Sequence, residues 1–107
     1  MNLIDREELK AKLDRGDDFK LLMVMDEWAF KAQHIPGSIR EIEPAQAAWL
    51  NKDDEIVVYC TGGTCTNSLT AYRTLESSGF SNVRRYAGGL QDWAMAGYPL
   101  EGEMVGS

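Results

Sequence analysis

The sequence predicts an α/β fold, in which a central and mostly parallel sheet is flanked by helices on both faces. Short apolar runs of strand length alternate along the chain with segments of helical periodicity. Strands that alternate with helices pair in parallel and are covered on both faces. The 107 residues, of which 44% are hydrophobic and 26% charged, are typical of a globular protein with its own core. We therefore expect residues 1–107 to form a single domain.

The first third of the chain predicts a helix, a strand and a short second helix. Asp5 followed by Glu8 resembles a capping box, which marks a helix start, and Gly16 closes that helix. The run FKLLMVM (19–25) is a compact apolar segment of strand length. The following DEWAFKAQ (26–33) predicts a short helix.

The middle of the chain predicts a turn, two strands and a helix. Pro36-Gly37 marks a turn, after which SIRE (38–41) predicts a brief strand. The segment PAQAAWLN (44–51) opens on a proline, as first helical turns often do, and predicts a helix. The β-branched run EIVVYC (55–60) is the clearest strand in the sequence.

The last third predicts a long helix, a strand and a closing helix. Gly79 follows the long helix as a C-terminal cap. NVRRYA (82–87) predicts a strand and GGLQDWAMAG (88–97) a helix, which Pro99 stops. The apolar stripe that predicts the long helix comprises Leu69, Ala71, Tyr72 and Leu75.

Both cysteines lie where the clearest strand leads into the long helix. Cys60 is the last residue of that strand, which is where parallel sheets bind ligands. The glycines that follow allow backbone N–H groups to converge, and the helix N-terminus adds partial positive charge. A thiolate in such a cradle has a lowered pKa and is nucleophilic at neutral pH. We therefore expect Cys60 to be a nucleophile; the alternative is a small apolar residue at a strand end.

Composition excludes several other classes of function. The net charge of −6 disfavours nucleic acid as a partner, because such proteins usually carry a basic face. No apolar run approaches the roughly 20 residues that span a bilayer. Two cysteines and one histidine cannot supply a four-ligand zinc site by themselves. The start of the chain lacks the apolar segment of a signal peptide, so we expect a cytoplasmic protein. We also expect that its function needs no metal or cofactor.

Three motifs in order resemble the rhodanese-like (sulfurtransferase) domain family over nearly the whole chain. QHIPGSI (33–39) is similar to the family's G-H-I-P-G-A-I turn. IVVYC followed by Gly63 is similar to its C-x-x-G active-site loop, and residues 68–102 contain its closing G-G-x-x-x-W-x-x-A-G-x-P signature.

The resemblance implies a five-stranded parallel sheet and a persulfide intermediate on the cysteine at the strand end. By that resemblance, Cys60 accepts a sulfane sulfur from a small donor or from a protein persulfide and passes it to a thiol or another thiophilic acceptor. The loop would stabilise the charge of the terminal sulfur. The loop residues expected to bind substrate are Thr61, Gly62, Gly63, Thr64, Cys65 and Thr66.

The chain departs from the family pattern at three places. Met23, Val24 and Met25 stand where the family usually has D-V-R. Cys65 stands where a loop arginine that grips oxyanions is often found, and no charged residue lies between Cys60 and Ser68. Ser68 follows Cys60 by eight residues instead of the common six, so the loop is longer.

The second cysteine leaves three interpretations open. As a resolving thiol, Cys65 would attack a persulfide or sulfenate on Cys60 and leave a disulfide. As a second carrier, it would relay the sulfur onward. It is otherwise a small loop residue without chemistry.

Three functions therefore compete. The first is a sulfurtransferase acting as a monomer or weak dimer. The second is a non-catalytic or regulatory rhodanese module that binds a protein partner. The third is a thiol redox switch built on Cys60 and Cys65.

Overall fold

Helices and strands alternate along the chain in the order that the sequence predicts. The computed structural model describes residues 1–62 and 65–103. The elements are α1 (Arg6–Arg15), β1 (Lys20–Met23), α2 (Glu27–Ala32), β2 (Ile39–Arg40), a 3₁₀ turn (Pro44–Gln46), β3 (Ile56–Tyr59), α3 (Asn67–Ser77), β4 (Val83–Arg85) and α4 (Gly89–Met95). The predicted α/β class is confirmed.

The strands form one parallel sheet in the order β2-β1-β3-β4. β3 lies in the centre, where Val58 pairs with Leu22 of β1 and with Arg85 of β4. The resemblance implied five strands, whereas the sheet within residues 1–62 and 65–103 has four. The N-terminal segment contributes only an isolated parallel bridge from Leu3 to Arg85. It cannot extend further along β4, because Asp5 already caps α1 by accepting a hydrogen bond from the Glu8 N–H at 2.8 Å.

Alternate residues of the central strands enter two separate apolar cores. One core packs β1 and β3 against α3, and its members include Leu22, Val24, Val58, Cys60, Ala71, Tyr72 and Leu75. The other packs the opposite face against α1 and α4, and its members include Leu9, Leu21, Met23, Val57, Tyr59, Leu90 and Trp93. Because the side chains of a strand alternate between faces, the fully buried β3 supplies both cores. The sheet is therefore covered on both faces, as predicted.

The predicted helix over residues 44–51 is wrong. The segment forms a single 3₁₀ turn at Pro44–Gln46. A second i→i+3 hydrogen bond follows, from the Leu50 N–H to the Ala47 carbonyl at 3.2 Å. Beyond Pro44, Leu50 is the segment's only fully buried apolar residue, so no apolar stripe holds a longer helix against the sheet. No helix in the described part of the chain is both long and apolar enough to cross a membrane.

Candidate active site

Cys60 lies immediately after β3, at the carboxyl end of the central strand, and α3 begins at Asn67. Its side chain belongs to the apolar core beneath α3, and the residue is only 1% exposed. Of the loop residues expected to bind substrate, Gly63 and Thr64 lie outside the described residues. The nucleophile predicted from the sequence is therefore at the predicted end of the sheet, but it is more deeply buried than a loop position suggests.

The Cys60 sulfur faces polar groups of the loop and of the first turn of α3. Its Sγ atom lies 3.4 Å from the Cys65 carbonyl oxygen and 3.4 Å from Ser68 Oγ. The Ser68 backbone N–H also bonds to this sulfur. Ser68, like Cys60, is 1% exposed. These contacts give the sulfur both an acceptor for its proton and donors that stabilise its anion.

Burial raises the pKa of the Cys60 thiol, and the neighbouring Cys65 thiol raises it further. The hydrogen bonds from Ser68 oppose this shift without reversing it. The lowered pKa expected for Cys60 is therefore wrong for this conformation. The physical reason is that removing the sulfur from water disfavours the thiolate more than the nearby donors favour it.

The lowered pKa that the sequence predicts for Cys60 is found at Cys65 instead. Burial opposes its ionisation, but hydrogen bonds from the Cys60 thiol, the Asn67 N–H, and the N–H and hydroxyl of Thr61 together lower its pKa. Cys65 is partly exposed, and its own N–H donates to the Gly62 carbonyl at 3.1 Å. Donors from Thr61 in the loop and from Asn67 at the helix N-terminus thus bond to the second thiol.

A methionine and an asparagine join the loop to the end of β1. Cys65 Sγ lies 3.9 Å from the sulfur of Met25, one of the residues that replace the family's usual D-V-R. Asn67 donates from Nδ2 to the Val24 carbonyl at 3.1 Å. The apolar Met25 therefore packs against the second thiol and places no charge there.

The amino end of α4 fixes the backbone of the nucleophile. The Leu90 N–H donates to the Cys60 carbonyl at 2.9 Å, and the Gln91 N–H donates to the Thr61 carbonyl at 2.8 Å. Gly89 has φ +65°, and a Cβ atom there would lie 2.5 Å from the Cys60 oxygen. The second glycine of the G-G signature is thus required by this close approach of two backbones.

Arg85 is a residue of the site that the sequence analysis missed. It lies on β4, and its Nε–H donates to Ser68 Oγ at 2.9 Å, so it is two hydrogen bonds from the Cys60 sulfur. Its neighbour Arg84 points to the opposite face and pairs with Glu8. The alternation of side chains along a strand could have indicated that one of the two arginines faces α3.

The remaining predicted loop residues lie at the rim of the site. Thr61 and Thr66 are exposed, whereas Gly62 is buried against Gln91. A groove of about 300 Å³ opens beside Thr61, and it is lined by Trp28, Ala29, Ala32, Gln33 and Leu90. Within residues 1–62 and 65–103, no three His, Cys, Asp or Glu side chains lie together in a way that could hold a metal ion.

Comparison with known proteins points to one family. The family model described as "Rhodanese-like domain" matches residues 5–96. The thiosulfate sulfurtransferase GlpE of Pseudomonas syringae is 34% identical over 101 residues, which cover 92% of this chain and 91% of that protein. The HTH-type transcriptional regulator Rv0324 of Mycobacterium tuberculosis is 35% identical over 96% of this chain, but the chain spans only 46% of the regulator. The solved structure of the BH2092 protein from Bacillus halodurans superposes with a TM-score of 0.88 at 25% identity, covering 96% of this chain and 78% of the other.

Proposed function

Because the chain belongs to the rhodanese-like domain family, we propose that it is a sulfurtransferase whose Cys60 carries the transferred sulfur as a persulfide. The observation that carries the proposal is the position of the Cys60 sulfur, at the end of the central strand and against the first turn of α3. The similarity to a thiosulfate sulfurtransferase over nearly the full length of both proteins supports the same reaction class.

The first step is loss of the Cys60 proton. The pKa of Cys65 is lowered and that of Cys60 is raised, so Cys65 ionises first and its thiolate can accept the Cys60 proton. When a donor approaches, the proton passes to Cys65, leaving a thiol there and a thiolate on Cys60. The Ser68 N–H and hydroxyl stabilise that thiolate.

Sulfur then moves in two displacements. The Cys60 thiolate attacks the sulfane sulfur of the donor; a new S–S bond forms, and the donor's own bond to that sulfur breaks. The leaving group departs with its electron pair, as sulfite from thiosulfate or as a thiolate from a persulfide. A thiophilic acceptor next attacks the outer sulfur of the Cys60 persulfide, which restores the Cys60 thiolate. These two displacements involve no net oxidation or reduction and use no cofactor.

The donor is either a small sulfur compound or a protein persulfide, and a low-molecular-weight persulfide stands in for the protein donor in the assay. We would measure thiocyanate formed from cyanide, a thiophilic acceptor, with thiosulfate or with a low-molecular-weight persulfide as donor. Wild-type protein should turn over with at least one donor, Cys60→Ser should not, and Cys65→Ser should retain transfer at a reduced rate. Equal turnover by wild type and Cys60→Ser would overturn the proposal, and no turnover with either donor would favour a non-catalytic module that binds a partner.

A thiol redox pair is a second candidate, and it is favoured by the 3.4 Å distance between the Cys60 sulfur and the Cys65 carbonyl oxygen, which places the two residues side by side. Peroxide would oxidise one thiol to a sulfenic acid, and the other thiol would attack that sulfur, forming a disulfide and releasing water. This function needs both cysteines, whereas sulfur transfer should persist at a reduced rate without Cys65. The two candidates therefore separate on the Cys65→Ser variant.

A further inference from the structure

We infer that Arg85 is a positioning residue, which turns the Ser68 hydroxyl hydrogen toward the Cys60 sulfur and so stabilises the Cys60 thiolate. The inference rests on the proposed function in that it concerns the same sulfur. It assigns a role to a residue on a different strand from the nucleophile and outside the loop. The first observation is the continuous chain of contacts from Arg85 Nε to Ser68 Oγ at 2.9 Å and from Ser68 Oγ to Cys60 Sγ at 3.4 Å.

The donor and acceptor capacity of a hydroxyl decides which group donates in each of these two contacts. A serine oxygen has two lone pairs and one hydrogen. Arg85 is always charged and only donates, so it occupies one lone pair of Ser68. The other lone pair can accept the S–H of the neutral Cys60 thiol, and once Cys60 is ionised the hydroxyl hydrogen lies within reach of its sulfur. A hydroxyl polarised by a guanidinium is a stronger donor to an anion than a free hydroxyl.

The surroundings make the effect local. Ser68 and Cys60 are each 1% exposed, so little water screens the interaction. Among the described residues, no carboxylate lies within 4.0 Å of the Arg85 guanidinium, whereas Arg84 is paired with Glu8. The charge of Arg85 is therefore not neutralised by a salt bridge and remains available to the site.

Among the described residues, the charged or titratable side chains that lie in or against the core that holds Cys60 include Cys65 on the loop, Tyr72 on α3 and Arg85 on β4. β1 contributes the apolar Val24. Cys65 couples to Cys60 directly. A measurement on Arg85 therefore requires a background in which Cys65 is replaced.

The test is a pH titration of Cys60 in the Cys65→Ser background, followed by the ultraviolet absorbance of the thiolate. The Cys60→Ser/Cys65→Ser protein supplies the blank for tyrosine ionisation. Arg85→Gln should raise the pKa of Cys60 enough to lower its thiolate fraction at pH 7 by about three- to tenfold, since one pH unit is a factor of ten. Arg84→Gln removes the same charge from the same strand and should leave the titration unchanged.

Two further variants test whether Arg85 acts through Ser68. Ser68→Ala should raise the pKa in the same direction as Arg85→Gln, and the double variant should titrate like Ser68→Ala alone. An unchanged titration in folded Arg85→Gln protein would overturn the inference. Additive pKa shifts in the double variant would also overturn it, because they would show that the Arg85 charge acts on the Cys60 sulfur directly and not through Ser68.

The test stays decisive if one variant fails to fold. Should Arg85→Gln lose its circular dichroism spectrum, Arg85→Lys keeps the charge and should lower the thiolate fraction less than Ser68→Ala does. A larger drop in Arg85→Lys than in Ser68→Ala would count against the inference. All these titrations are made without a sulfur donor, so their failure is distinct from a failure of sulfur transfer.

Discussion

The Cys60 sulfur lies 3.4 Å from the carbonyl oxygen of Cys65. Cys60 is buried, whereas Cys65 is partly exposed. This arrangement makes the two cysteines unequal. Cys60 is 1% exposed with a raised pKa, and Cys65 is more accessible with a lowered pKa. The residue at the strand end is thus the inner thiol, and the residue at the helix N-terminus is the outer thiol.

The outer thiol should react first with a small alkylating agent. At pH 7 a larger fraction of Cys65 than of an ordinary cysteine is thiolate, because its pKa is lowered, whereas Cys60 is mostly protonated because its pKa is raised. Brief treatment with iodoacetamide and peptide mapping should find the label on Cys65. Labelling of Cys60 should require higher pH. Preferential labelling of Cys60 at pH 7 would contradict the assigned ionisation states.

Mild oxidation should join the two cysteines. Wild-type protein treated with peroxide should lose two hydrogens in an intact-mass measurement, because the Cys60 sulfur already lies 3.4 Å from the carbonyl oxygen of Cys65. The oxidised Cys60→Ser protein should instead hold a sulfenic acid on Cys65, the more ionised thiol, which dimedone traps. An oxidation product that is unchanged in Cys65→Ser would exclude the resolving role of Cys65.

Gly89 should be far less tolerant of alanine than Gly97 is. Both have positive φ, so each substitution places a side chain in the left-handed region at a cost of about 1–2 kcal/mol. A Cβ at Gly89 also lies 2.5 Å from the Cys60 oxygen, whereas a Cβ at Gly97 has nothing within 4 Å. Chemical unfolding should show about 1–3 kcal/mol more destabilisation for Gly89→Ala, with impaired sulfur loading. Equal losses in the two variants would show that the contact with Cys60 is unimportant.

The buried hydroxyl of Tyr59 should stabilise the fold at neutral pH and lose that effect at alkaline pH. This hydroxyl accepts from the Ile35 N–H at 3.0 Å and donates to Ser38 Oγ at 2.9 Å. Tyr59→Phe leaves these partners unsatisfied, so it should cost about 1–3 kcal/mol at neutral pH.

Burial also raises the pKa of Tyr59 to about 12. A group whose pKa is raised by folding stabilises the protein fully below its unfolded pKa, about 10, and that contribution is lost as pH rises through 12. The difference in unfolding free energy between wild type and Tyr59→Phe should therefore shrink from pH 9 to pH 11.5. A difference that stays constant over this range would contradict the buried, neutral phenol.

The local features of the fold could be predicted from the sequence because neighbouring residues determine them. Asp5 caps α1 and Gly16 ends it with φ 72°, as their residue types indicate. Likewise, the β-branched run before Cys60 forms the buried central strand. The helix predicted over 44–51 is limited to a 3₁₀ turn, because proline and alanine permit a helix but tertiary packing decides whether it extends.

The chemistry of the site was less predictable because it depends on tertiary distances. The position of Cys60 at the end of the sheet follows from the strand pattern, but the direction of its pKa shift depends on burial depth. Donors near the cysteines were expected, but which sulfur accepts from Thr61 and Asn67 depends on tertiary distances. Arg85 was missed because its contact with Ser68 joins residues on separate elements, β4 and α3.

The most direct test of the sulfur-carrier proposal is the mass of the protein after incubation with thiosulfate or an inorganic polysulfide and removal of excess donor. Wild-type and Cys65→Ser proteins should gain the mass of one sulfur atom, mapped by fragmentation to the peptide containing Cys60, and cyanide should remove it. Cys60→Ser should gain nothing. A sulfur that maps to Cys65 alone, or a Cys60→Ser protein that loads as fully as wild type, would contradict the assignment of Cys60 as the carrier.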